Sequence, residues 1–94
     1  MKKAYLLVFS DDLGSLEVVK KVLETMPEII LWRYDMSHAF YIISEQSAEQ
    51  LSESFKTKIN SSGRFLFMEV SENKQGWLTK ASWYLMRHKE HQAE

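Results

Sequence analysis

Apolar residues cluster in four short stretches of this chain, and in two longer stretches between them they recur every three to four positions. The short stretches are Ala4–Phe9, Ile29–Tyr34, Ala39–Ile43 and Arg64–Val70, each a predicted strand. In the first, Tyr5, Leu7 and Phe9 point one way and Ala4, Leu6 and Val8 the other. Phe65 and Phe67 oppose Leu66, Met68 and Val70 in the last. Strands apolar on both faces belong to a sheet that is covered on both sides. After the first strand, Ser10-Asp11-Asp12-Leu13-Gly14-Ser15 is a polar turn rich in helix-capping residues. The helix beyond it carries Val18, Val19, Val22, Leu23 and Met26 at helical spacing, with Glu17–Lys21 and Lys20–Glu24 as solvent-side pairs. Pro27 disfavours helical geometry at Met26 and ends it. The second helix opens on the capping box Ser47-Ala48-Glu49-Gln50. It carries Ala48, Leu51, Phe55 and Ile59 as a stripe and stops at Asn60-Ser61-Ser62-Gly63.

The order strand, helix, strand, strand, helix, strand predicts an α+β, ferredoxin-like βαββαβ sandwich with antiparallel strand order 4-1-3-2. Asp35-Met36-Ser37-His38 reads as the hairpin turn of the central pair. A short additional C-terminal helix is expected from Thr79, capped by its own hydroxyl, to about Lys89. Residues 1–94 are expected to form one domain, with 88–94 a frayed tail. Two helices cover one face of the sheet, so something else must cover the other. Tyr5, Leu7, Phe9, Trp32, Tyr34, Tyr41 and Phe67 exceed what a one-sided sheet carries. They are expected to form a homodimer interface, together with Trp77 and Trp83 of the C-terminal segment.

Composition narrows the function classes. Of the 94 residues 45% are hydrophobic and 13% aromatic, which suits a packed core. There is no cysteine, which excludes disulfides, thiolate metal sites and cysteine nucleophiles. No apolar run reaches the roughly 18 residues that span a membrane. The apolar stretch after Met1-Lys2-Lys3 is too short for a signal-peptide core, so the expected location is cytoplasmic. A net charge of −1 provides no global attraction to nucleic acid.

Asp11 and Asp12 close the first strand. Carboxylates there can hold a divalent cation, and the competing reading is that they cap the first helix. Arg33, Tyr34, Asp35 and His38 surround the hairpin, where an arginine can grip phosphate and a histidine can serve as acid or base. The competing reading is a surface hairpin satisfied by its own polar groups. His88 and His91 have helical spacing but lack a third ligand. Lys56, Lys58 and Arg64 flank the end of the second helix and can face phosphates. Lys80, Arg87 and Lys89 stud the third. Charges of both signs alternate along these segments, as on an ordinary solvated face.

Several strings together resemble a known family: Tyr5-Leu6-Leu7-Val8, Trp32-Arg33-Tyr34-Asp35, Leu51 after Ser47-Ala48-Glu49-Gln50, Phe65–Val70, and Gly76-Trp77-Leu78-Thr79-Lys80 with Trp83. From about Tyr5 to Met86 the chain resembles the small bacterial SinR-family proteins, a set close to the VapD toxins and the small CRISPR adaptation protein. That resemblance implies a homodimer with facing sheets and an association with RNA or DNA. It also implies a metal-dependent nuclease, with Asp11 as the catalytic carboxylate, Asp11 and Asp12 holding Mg²⁺ or Mn²⁺, and Arg33, Lys56, Lys58 and Arg64 meeting nucleic acid. In the nuclease members an aspartate directly follows the strand 1 aromatic; here Ser10 follows Phe9 and the acid comes one place later. The displaced acid and the near-neutral charge favour a different class, a non-catalytic dimeric module that holds a protein partner.

Overall fold

The computed structural model describes residues 1–92; of the expected tail, 93 and 94 lie outside the described residues. Strand β1 (Lys3–Phe9) is followed by a single 3₁₀ turn at Asp11–Leu13 and helix α1 (Leu16–Glu24). The hairpin β2 (Ile29–Arg33) and β3 (Ala39–Ser44) leads to α2 (Ala48–Ile59), β4 (Phe65–Glu69) and α3 (Lys80–His88). The four strands form one antiparallel sheet in the order β2-β3-β1-β4. Among the described residues the architecture is therefore α+β: one four-stranded antiparallel sheet with three α-helices. None of the helices is long and apolar enough to cross a membrane, among the described residues.

Local chemistry explains the helix limits. Ser15 accepts the Val18 N–H and caps α1. Ser47 and Gln50 close a reciprocal capping box on α2, which satisfies two of the otherwise orphaned donors of a first turn. Asn60 ends α2 in the left-handed conformation, φ 48°, which asparagine tolerates better than most residues. Thr79 caps α3 by accepting the Ser82 N–H. At Gly63 the chain passes so close to Leu13 that a Cβ would stand 2.2 Å from its Cα, so only glycine fits.

Strand pairing sorts the side chains onto two faces. Tyr5, Leu7, Phe9, Phe40, Ile42 and Phe67 meet Val19, Leu23, Leu51 and Phe55 of α1 and α2 in the main core. Ala4, Tyr41 and Ile43 lie on the opposite face, beneath Leu85 and Met86 of α3, with Leu6, Leu31, Val70, Leu78 and Trp83 at the margin. The second face is thus covered by the chain's own third helix, over its β3 side. The expected dimer surface is corrected accordingly. Tyr5, Leu7, Phe9 and Phe67 are at most 7% exposed within one chain, Tyr41 only 2%, and Trp32 and Trp83 are half-buried. These side chains are spent on the intramolecular core. Of the expected set, Tyr34 and Trp77 stand out to solvent, Trp77 completely so. Alternation along a strand shows which residues share a face but not which face the helices take.

Candidate functional site

Three places bring chemistry-bearing residues together. The first is the end of the sheet where β1 stops. Phe9 N–H donates to the His38 carbonyl at 3.1 Å and Ser10 N–H to the Arg64 carbonyl at 3.0 Å. The Asp11–Leu13 turn is thereby wedged between the hairpin and the start of β4. Asp11 Oδ1 pairs with His38 Nε2, and His38 Nδ1 lies 3.0 Å from Ser37 Oγ. The imidazole packs against the Phe9 ring, centroids 5.4 Å apart. Asp12 accepts instead from the Ser10 hydroxyl, which itself receives the Arg64 N–H. Neither aspartate caps α1, because Ser15 takes that position; the capping expectation for Asp11 and Asp12 is overturned.

An imidazole between a carboxylate and a hydroxyl is an acid–base inventory. Its setting is open, with the side chains of His38 and Asp11 46% and 92% exposed, so water screens the pair. Among the described residues no three His, Asp or Glu side chains converge as a metal site. Asp11 and Asp12 turn to different partners. Lys56 and Lys58 occupy the exposed last turn of α2, and Arg64 begins β4 through its backbone bonds to Ser10. His88 remains in α3, its ring tilted against that of Tyr84 with centroids 4.3 Å apart. His91 lies beyond that helix and is exposed.

The second place fastens α3 to the hairpin. Arg33 Nε donates to the buried Ser82 Oγ at 3.0 Å, and the Thr79 hydroxyl donates to the Asp35 carboxylate at 3.1 and 3.3 Å. Arg33 is therefore engaged by α3 and does not stand with Lys56, Lys58 and Arg64. Burial raises the Asp35 pKa, but the hydrogen bonds from Ser82 and Thr79 and the Arg33 charge outweigh it and leave the carboxyl below its ordinary value. The nearby Tyr41 hydroxyl is buried and, among the described residues, has no hydrogen-bond partner. Burial first, and then the negative charge of Asp35, push it up to about 12. Ser82 carried no signal in the sequence, since a serine three residues after a cap resembles any helix-surface serine.

The third place is the uncovered part of the second face. A groove of about 560 Å³ runs between the sheet, the 71–78 segment and α3, walled by Leu6, Met36, Met68, Leu78, Trp83 and Met86. Of its lining Met68 is 51% exposed, Met36 49% and Trp77 100%, and Leu66, two residues before Met68 on the same face of β4, is 54% exposed. The alternation of β4 placed Leu66 and Met68 on this face. That α3 would stop short of them was not visible in the sequence. No protein-family model, no curated protein and no solved structure matches this chain.

Proposed function

We propose that the chain is a non-catalytic interaction module of ferredoxin-like βαββαβ build that works as a homodimer and offers its half-covered sheet face to protein. The observation that carries this reading is the apolar strip of Leu66, Met68, Met36 and Trp77, exposed on a face whose other half is packed. Exposed large apolar groups gathered in one place mark binding surfaces far more often than scattered ones do, and Met and Trp are adaptable or energetic anchors in such surfaces. The test is light scattering over a wide concentration range, on the parent and on Trp77→Ser with Met36→Ser. The parent should return twice the 11.1 kDa of one chain, and the variant should lose mass or binding without losing its circular dichroism. A parent that stays at one chain's mass throughout counts against the dimer.

The Asp11–His38 pair supports a second reading, a VapD-like nuclease or nucleic-acid-binding protein in which Mg²⁺ or Mn²⁺ would reach Asp11 and Arg64 and Lys58 would meet phosphate. Asp11→Asn and His38→Ala, assayed on RNA and DNA with either metal, decide it. If the pair acts, both changes should lower cleavage by two orders of magnitude or more while the melting temperature holds. A parent that neither cleaves nor gel-shifts RNA or DNA leaves the module reading alone in the field, and variants that cleave like the parent remove the Asp11–His38 pair from the chemistry.

A further inference from the structure

The sheet has two edges, and they are not alike. At β2 the ladder is interrupted by an irregularity between Ile29 and Leu31, a feature that blunts edges against further pairing. The ladder between β4 and β1 is regular from Phe65 to Glu69. Its bonds fix which backbone groups are left over. Ser10 N–H donates to the Arg64 carbonyl and Val70 N–H to the Ala4 carbonyl, so Arg64, Leu66, Met68 and Val70 turn their backbone groups inward to β1. By the alternation of an antiparallel pair, Phe65, Phe67 and Glu69 turn theirs outward, and no strand among the described residues takes them.

We infer that this edge is completed by β4 of a second copy, antiparallel about a two-fold axis through Phe67. The inference rests on the self-association proposed above and names its seam. In that register Phe67 lies opposite Phe67 of the second copy and Phe65 opposite its Glu69, so every outward N–H meets an outward C=O. Leu66 then lies opposite Met68 of the second copy, in the closer, non-hydrogen-bonded type of pair. Both are exposed in the single chain, by 54% and 51%, and each would cover the other. The charges agree with the direction. Arg64 precedes β4 and Glu69 closes it, so an antiparallel pair sets the arginine of each copy towards the glutamate of the other. Two other registers about the same axis direction fail one of these conditions. Centring on Leu66 leaves Met68 facing Arg64, and centring on Met68 leaves the outward groups of Phe65 opposite Ser71, beyond the end of the strand. The joined sheet would have eight strands and one continuous apolar band on its second face.

Sedimentation equilibrium on the whole chain tests the seam through two double variants at exposed positions. Leu66→Lys with Met68→Lys places like charges opposite each other across the axis and should leave a monomer at concentrations where the parent is dimeric. Leu66→Lys with Met68→Glu places lysine opposite glutamate twice and should restore the dimer. Circular dichroism checks that both variants fold. Amide exchange in the parent provides an independent measurement: the outward amides of Phe65, Phe67 and Glu69 should slow at least tenfold between dilute and concentrated protein. A dimeric double-lysine variant, a charge-swapped variant no better than it, or outward amides indifferent to concentration overturns the β4 seam while self-association stands. A parent monomeric at every concentration overturns both.

Discussion

Among the described residues the Tyr41 hydroxyl, beneath α3, has no hydrogen-bond partner, and that makes it a liability the surrounding packing must outweigh. A buried polar group left unpaired costs about 1–3 kcal/mol. Tyr41→Phe keeps the ring that packs beside Ile43 and Leu85 and removes the orphaned atom. It should raise stability by about 1 kcal/mol in urea denaturation. The same change should alter the alkaline limb. A tyrosine whose folded-state pKa stands near 12, against about 10 unfolded, ionises more readily in the unfolded chain, so stability is independent of this group below pH 10 and falls as pH rises from 10 towards 12. The parent's stability should fall over that interval by more than the variant's. Equal slopes would mean that the hydroxyl ionises freely in the folded chain.

At the scale of the element, α3 is held by apolar contacts beneath it and by a polar fastening at its N-terminal end. Ser82 is fully buried and receives the Arg33 guanidinium, while Thr79 both caps the helix and reaches Asp35. Ser82→Ala leaves Arg33 Nε without that acceptor in a half-buried position and should cost about 1–2 kcal/mol. The loosening should be local, read as faster amide exchange along Lys80–His88 with β1 and β3 unchanged. Acid should act on the same fastening. The Asp35 carboxyl titrates below its ordinary value, so its contribution is present above the unfolded-state pKa of about 3.9 and is lost as pH falls through the folded one. Asp35→Asn should therefore be less stable than the parent at pH 7, with the gap narrowing as pH falls below the unfolded-state pKa. A constant gap would assign the loss to packing and not to charge.

For the whole molecule, the unequal cover of the two faces matters most. One face is sealed by α1 and α2; the other is closed by α3 over β3 and left open towards β4, with a free edge beside the opening. If two copies join there, folding is linked to association and the melting temperature must rise with protein concentration. Differential scanning calorimetry at concentrations a hundredfold apart should show a shift of several degrees in the parent and none in Leu66→Lys with Met68→Lys. A shift common to both would place the association elsewhere on the surface.

Much of this was open to reading in the sequence because it is local. The helix starts at Ser47 and Thr79 depend on side chains within a few residues of the backbone they satisfy, whereas the cap of α1 fell to Ser15 and not to Asp11 or Asp12, because that turn offers several capping residues in a row. The four strands and their pairing order follow from apolar stretches joined by connections of suitable length. The two-faced character of β1 and β4 is likewise written in their alternation. What that alternation cannot say is which face receives the helices, because a period of two is unchanged when the faces are exchanged. Tyr5, Leu7, Phe9 and Phe67 therefore read equally well as an outer surface and as the core, and packing against Leu51 and Phe55 made them core. The meeting of Asp11 with His38 across 27 positions, and of Arg33 with Ser82 across 49, depends on strand ends and helix docking that no short string encodes. The extent of α3's cover was also settled only in three dimensions: its length and the route of 71–78 carry it over β3 and stop it short of Leu66 and Met68.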